Sequence, residues 1–504
     1  MKLKMDLYKN YIILALISLI FVCVNIMTFS STLPWCDEVI LTETSTNYVD
    51  YGDWVSRASG NTANYPPFSM YVPLPQMAHV VWMYIFGTGI VGARTFNLFV
   101  YFLIGVVLLF LIEKKQGSKL NLMQATLFFI LLWGIGGMID IYRNGRGDLF
   151  GCLMCLLLLV AVIAYIQNTK KKELWIILIL SIALFWSGIQ CCVLAFFAMF
   201  FYWIVDKTNR KKTFRMSLVM ILGFIVGLIT VLAFFQYHNH LIAFLSWFVG
   251  SSGTLRGYTL KLLPYIGPII GVDADSILQR AGSDMGISSG SEFFLRVLSI
   301  LKDPSYIILL ITAVIVCVVD ILNDKGKRHN NLILLLLIFD LLIPFFMNLA
   351  GKYVWYYTWM SYLPLIVAVT LGYSTLTRKT YLVIMACPVV LLLVLSYSHI
   401  YNRENAEEYL EVSEMCNRIP FEKNDLVSAP DQFFYILKEK TDYSYYTERY
   451  PVEYINMPEL KYHIVDKTRK YYNINKVISA DSTIILVPID SCCNSKIVAY
   501  KLSK

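Results

Sequence analysis

The chain has 504 residues, of which 57% are apolar and 15% charged, and its formal net charge is +8. With a mean hydropathy of +0.59, this composition excludes an ordinary soluble globular protein. The positive balance is not a nucleic-acid footprint either. Lys and Arg gather in short stretches between apolar runs, where the positive-inside rule places them.

Apolar runs long enough to cross hydrocarbon, about 18 to 25 residues, recur over the first 400 positions. They predict about eleven spans, at roughly 11–29, 93–112, 121–139, 149–167, 173–187, 189–205, 216–235, 305–322, 331–349, 361–376 and 381–399. The first follows Lys2, Lys4 and Lys9, and Phe29-Ser30-Ser31-Thr32 is a poor cleavage site. A retained anchor with a cytoplasmic N-terminus is expected. Lys114-Lys115, Lys170-Lys171-Lys172, Lys207 with Arg210-Lys211-Lys212, Lys325 with Lys327-Arg328, and Arg378-Lys379 then all fall on the N-terminal side. The split near Ser187-Gly188 divides two of these spans.

The opposite face receives the first outer loop (30–92), the turn at 140–148, a long outer loop (236–304), the segment 351–360 and the tail. Residues 69–92 are apolar and aromatic but interrupted by Pro73 and Pro75, which fits a helix lying in the interface. The tail is polar and Tyr-rich, with β-like runs at 483–487 and 497–500. The expected fold class is an all-α polytopic membrane protein, residues 1–400, followed by a small extracytoplasmic α/β domain, residues 401–504. The eleven Cys show no metal spacing, and the adjacent Cys492-Cys493 are unassigned.

The stretch from 34 to 67 carries the clearest chemistry. Asp37 and Glu38 stand side by side just after the first span, followed by Gly52-Asp53-Trp54 and Tyr65-Pro66-Pro67-Phe68. Adjacent carboxylates at a membrane surface are costly without a counter-charge, metal or substrate. The plainer reading makes Asp37 the cap of a helix beginning near Val39, with Glu38 in its first turn. The turn at 140–148 offers Arg143 and Arg146, whose forked donors suit phosphate oxygens; an ordinary charged turn with Asp148 as cap is the alternative. Lys352 is the lone cation of its loop, rimmed by Tyr353, Tyr356, Tyr357, Trp359 and Tyr362. It suits an anionic headgroup, or else snorkels from an aromatic belt. His238 and His240 form only a fragment of a metal site, and neither a metal nor a cofactor is expected.

These stretches, in this order, resemble the C-type superfamily of integral-membrane glycosyltransferases. Within it they resemble the branch of protein O-mannosyltransferases and lipid A aminoarabinose transferases. The matching steps are Asp37-Glu38, Gly52-Asp53-Trp54, Pro66-Pro67-Phe68, Ala93-Arg94 and Gly145-Arg146-Gly147-Asp148. The chain departs from the aminoarabinose transferases in having Asn64-Tyr65 before the Pro-Pro, and no Lys around Ser187-Gly188-Ile189.

The resemblance implies a polyprenyl-phosphate-linked sugar as donor, inversion at the anomeric carbon, and a lipid, glycan or protein hydroxyl as acceptor. Asp37 is then the expected general base, with Glu38 orienting it or the acceptor. Arg143, Arg146 and Lys352 then form a phosphate clamp, with Arg94 a weaker member, Tyr356 at the substrate and Asp53 behind the site. It places the protein in a bacterial inner membrane with its active face outward. A polymerase or ligase of lipid-linked glycans would instead use outer-loop cations such as Arg256 and Arg280. A transporter would need ionisable groups in mid-membrane, where Asp340 is the main one.

Overall fold

A computed structural model describes residues 2–29, 32–55, 72–242, 244–245, 265, 290–323, 330–350, 359–401, 408–441, 460–468 and 485–503. The chain runs through α1 (Lys2–Phe29), α2 (Cys36–Tyr51), α3 (Leu74–Phe86), α4 (Ile90–Gln116), α5 (Leu122–Trp133) and α6 (Gly136–Tyr142). It continues through α7 (Asp148–Asn168), α8 (Lys171–Ser187), α9 (Ile189–Val205) and α10 (Arg210–Tyr237). Further along come α11 (Gly290–Leu298), α12 (Pro304–Asn323), α13 (Asn330–Ala350), α14 (Trp359–Thr375) and α15 (Arg378–Tyr401). Every segment expected to span falls on helix. Among the described residues six helices are long and apolar enough to cross a membrane, or seven if α5 and α6 form one bent span. Ile189–Val205, Leu332–Asn348 and Trp359–Ser374 are apolar but shorter. The protein is an integral membrane protein built mainly of helices.

Two local features set the helix arrangement. Gly223 and Gly227, four apart on α10, face α8: a Cβ on them would lie 2.5 Å from Ser181 Cβ and 2.7 Å from Phe185 Cβ. Small residues at this spacing let two helices touch backbone to backbone. The second feature is the 64° bend between α5 and α6, where the sequence pattern had implied a straight span over 121–139. The break frees the carbonyls of residues 132–134. Tyr101 Oη donates to Leu132 O, Tyr142 Oη to Trp133 O and Ser396 Oγ to Gly134 O. Freed backbone inside a membrane protein requires such partners. The bend also aims α6 so that its last residue, Tyr142, delivers the chain into the Arg143–Asp148 turn.

α3 has 13 residues, about 20 Å at 1.5 Å per residue, too short to span. Its Val81, Tyr84, Ile85 and Phe86 are exposed. Asp340, on α13, is buried and accepts a hydrogen bond from Tyr306 at 2.8 Å.

The tail forms α16 (Glu408–Arg418), β1 (Leu426–Ser428), α17 (Phe434–Leu437), β2 (Leu460–Asp466), β3 (Ile485–Cys492) and β4 (Ile497–Ser503). The sheet order is β1-β2-β4-β3, with β1 and β2 parallel and the other pairs antiparallel. The expected strand runs at 483–487 and 497–500 fall within or overlap β3 and β4. The core of the tail includes Val412, Met415, Phe433, Phe434 and Ile464, and it also takes in Val39, Met83, Ile90 and Ala93 from α2, α3 and α4.

Burial draws the β2 imidazole of His463 down from 6.5 to about 4, against a raising hydrogen bond with the Ser428 backbone. The folded state therefore keeps this group neutral where the unfolded chain protonates it. Stability is full above pH 6.5 and falls as the pH drops toward 4, by roughly 3 kcal/mol over the whole interval. Thermal melting of the full chain in detergent, compared at pH 7 and pH 5, should show a smaller decline for His463→Gln than for wild type. Equal slopes would remove His463 as the source.

Candidate active site

α2 begins one residue before the acidic pair. Trp35 occupies the N-cap position, so Asp37 is not the cap but lies in the first turn with Glu38. A helix N-terminus favours carboxylates there. Glu38 turns back and accepts from Trp35 N at 3.2 Å. At the other end Gly52 closes the helix at φ 78°, a conformation glycine adopts without strain, and its N–H meets Tyr48 O. Asp53 follows directly and is exposed.

The two carboxylates have different surroundings. The Glu38 side chain is only 1% exposed and accepts four hydrogen bonds. Arg94 Nε reaches Oε1 at 2.7 Å and Arg94 Nη2 reaches Oε2 at 3.0 Å; Gly145 N adds a bond to Oε1 at 3.0 Å, besides the one from Trp35. One side chain thereby joins α2, α4 and the turn before α7. Arg94 spends further donors on Phe29 O and Thr32 O. The Asp37 side chain, by contrast, is 32% exposed and accepts from Arg146 Nη1 at 2.8 Å. Arg146 shares its guanidinium with Asp148, Nε to Oδ2 at 2.7 Å, and its guanidinium carbon lies 5.0 Å from the Trp35 ring centre.

The turn that carries these arginines is held by its own amides and by α4. Asn97 Nδ2 donates to the carbonyls of Asn144 and Arg146, each at 2.5 Å. Asn144 donates to Asp140 O and accepts from Arg146 N. Gly145 has to be glycine on packing grounds: a Cβ there would lie 2.6 Å from Thr42 Cγ2. Arg143 Nη2 donates to Thr28 O and Oγ1, with its guanidinium carbon 5.9 Å from the Phe29 ring centre.

A cavity of about 240 Å³ opens beside this cluster, lined by Thr32, Leu33, Trp35, Glu38, Arg94, Asp140, Arg143 and Asn144. Asp37 and Arg146 stand next to these residues without belonging to the lining. Of the residues singled out in the sequence, Asp37, Glu38, Arg94, Arg143 and Arg146 come together. Asp53 sits at the far end of α2. Lys352 and Tyr356, like Pro66-Pro67, Arg256 and Arg280, lie outside the described residues. Sequence reasoning missed Trp35, Asn97 and Asp140. Trp35 and Asp140 border motifs already noticed, whereas Asn97 carried no local signal. His238 and His240 stack at 6.2 Å after α10. Among the described residues no three His, Cys, Asp or Glu side chains gather as a metal-ligand set.

No protein-family model matches the sequence, and comparison with curated proteins gave no match. Structure comparison did. The crystal structure of ArnT from Cupriavidus metallidurans bound to undecaprenyl phosphate superposes with a TM-score of 0.58 at 10% identity, covering 98% of both chains. The chain has the fold of ArnT. The apo form of the same ArnT gives a TM-score of 0.51 at 11% identity over 97% of both chains. The archaeal oligosaccharyltransferase AglB from Archaeoglobus fulgidus, in complex with an inhibitory peptide and a dolichol-phosphate, gives 0.49 at 12% identity. That match covers 99% of this chain and 75% of AglB. The likeness to ArnT runs the whole length of the chain, so it takes in the tail as well as the membrane helices.

Proposed function

We propose that the protein is an inverting glycosyltransferase that moves a sugar from a polyprenyl-phosphate-linked donor to a hydroxyl of a lipid, glycan or protein. The observation that carries this reading is the division of labour between adjacent carboxylates: Glu38 is sealed and saturated, while Asp37 is one-third exposed and oriented by Arg146. A neutral hydroxyl is a poor nucleophile and needs a carboxylate within hydrogen-bond reach to take its proton as it attacks. Asp37 is placed for that task. Glu38 orients it through the shared helix turn rather than by touching the acceptor.

In the reaction the acceptor oxygen bonds to the anomeric carbon as the bond from that carbon to the phosphate oxygen breaks. The electron pair leaves with the lipid phosphate, and cations are needed where that charge grows. Arg143, on the cavity wall, is the first candidate for that role. Lys352 and Tyr356 are proposed to complete the clamp from the 351–358 segment. Arg94 is committed to Glu38 and acts by holding the cavity wall. Asp53 belongs to the support of α2. The bound undecaprenyl phosphate of ArnT agrees with this donor class. The two-part organisation, 1–400 and 401–504, is part of the proposal. So is the topology, with about eleven spans, a cytoplasmic N-terminus and an outward active face in a bacterial inner membrane.

The test is transfer of radiolabelled sugar from a panel of undecaprenyl-phosphate-linked donors by the purified protein in lipid nanodiscs. The anomeric configuration of the product would be read by NMR. Transfer with inversion is expected. Retention would exclude single displacement, and no transfer from any donor would overturn the donor class.

A further inference from the structure

Thr42 lies one helical turn beyond Glu38 on α2, is fully buried, and points into the seam between α2 and the tail. Its Oγ1 is 2.7 Å from the Glu38 carbonyl and 2.5 Å from the Tyr435 hydroxyl, which is supplied by α17. A threonine hydroxyl has one proton to give and lone pairs to accept with. The Glu38 carbonyl can only accept, so the Thr42 proton is committed to it. The Tyr435 hydroxyl must then be the donor to Thr42. The chain of hydrogen bonds runs in one direction, from Tyr435 through Thr42 to the peptide that joins Glu38 to Val39.

Tyr435 is itself fully buried, and its neighbours Phe433 and Phe434 share an apolar core with Val39. The methyl group of Thr42 fills the space beside Gly145, whose amide binds Glu38. Two turns further along α2 the tail makes a second attachment: Lys438 Nζ donates to Asp50 Oδ2 at 2.9 Å and to Thr88 Oγ1 at 3.0 Å. The tail therefore grips α2 at positions 42 and 50, about 12 Å apart along the helix. The Tyr435 grip reaches the turn that bears Asp37.

From this geometry we propose that Tyr435 is a positioning residue for the Asp37 turn, so that the C-terminal tail completes the active site from a distance. The proposal rests on the glycosyltransferase reading above for its catalytic readout, and on geometry alone for its structural one. Hydrogen bonds in a buried chain reinforce one another, so removing the first donor loosens the last acceptor.

Tyr435→Phe keeps the ring in its apolar surroundings and deletes only the hydroxyl, with its bonds to Thr42 and Thr46. In full-length protein with radiolabelled undecaprenyl-phosphate-linked sugar, kcat is expected to fall about tenfold, the weight of one buried hydrogen bond. KM for the donor and the melting temperature should stay close to wild type. Thr42→Val should give the same loss, the double variant no more than either single one, and Thr42→Ser should restore the rate. Hydrogen exchange over residues 33–46 supplies a readout that needs no substrate, and Tyr435→Phe should speed it selectively there. Unchanged exchange in that segment overturns the proposal whether or not wild type transfers sugar. Faster exchange with an inactive wild type would sustain the positioning link and sink the glycosyltransferase reading instead. A rate loss that tracks the melting temperature would reduce Tyr435 to a packing residue.

Discussion

Asp37→Asn is expected to lower sugar transfer by about 10²- to 10⁴-fold, the usual contribution of a positioned general base. The substitution keeps the size of the side chain and one oxygen for Arg146, but it cannot accept the acceptor's proton. Folding should be little affected for two reasons. The Asp37 side chain is 32% exposed, and Arg146 retains Asp148 at 2.7 Å as its second partner. The measurement is the single-turnover rate with saturating donor, alongside donor binding and melting of the same preparation. Donor binding should survive while the rate collapses. A rate within about threefold of wild type would take Asp37 out of the chemical step, since even a weak base contributes more than that.

Glu38→Gln should fail differently. It leaves the Arg94 guanidinium, 5% exposed, with no carboxylate in its buried niche. Removing one partner of a buried ion pair costs about 3 to 5 kcal/mol, because the other charge stays desolvated. The amide also brings donors into a place where Arg94, Gly145 N and Trp35 N already point donors at it. A lower melting temperature and poor recovery from membranes are expected, with loss of transfer following from loss of structure. If Glu38→Gln melted like wild type and yet transferred nothing, Glu38 would have to touch the reacting groups. The two substitutions, one position apart, thus separate chemistry from architecture.

The long apolar helices were legible because their runs carry few charges and hydrocarbon length sets the ruler. The bend at 134 was not, although Gly134, Gly136 and Gly137 stood in view. Apolarity continues across the break, and only Tyr101, Tyr142 and Ser396 show that the carbonyls are free to turn. The stretch from 42 to 47 belongs to the helix expected to begin near Val39, but its burial was not legible because it is entirely polar. It is buried helix because the tail and α3 cover it. In the site, the acidic pair and both arginines of the 140–148 turn could be picked out by residue type. Their roles could not, since Glu38 is assigned by Arg94 and Gly145, 56 and 107 positions before they are met along the chain. Tyr435 is one of 34 tyrosines, and nothing in its local sequence marks it.

The Tyr435–Thr42 bond spans 393 positions, and that distance has a consequence for biosynthesis. At about 5 to 20 residues per second, a ribosome needs roughly 20 to 80 s between making the two ends of that bond. During this interval α2, with six consecutive buried polar residues from Thr42 to Asn47, has none of its tail contacts and no reason to settle in lipid. The nascent chain thus carries α2 without its tail partners until translation is nearly over. A truncated product that terminates before α17 would lack the Tyr435 and Lys438 bonds that hold α2.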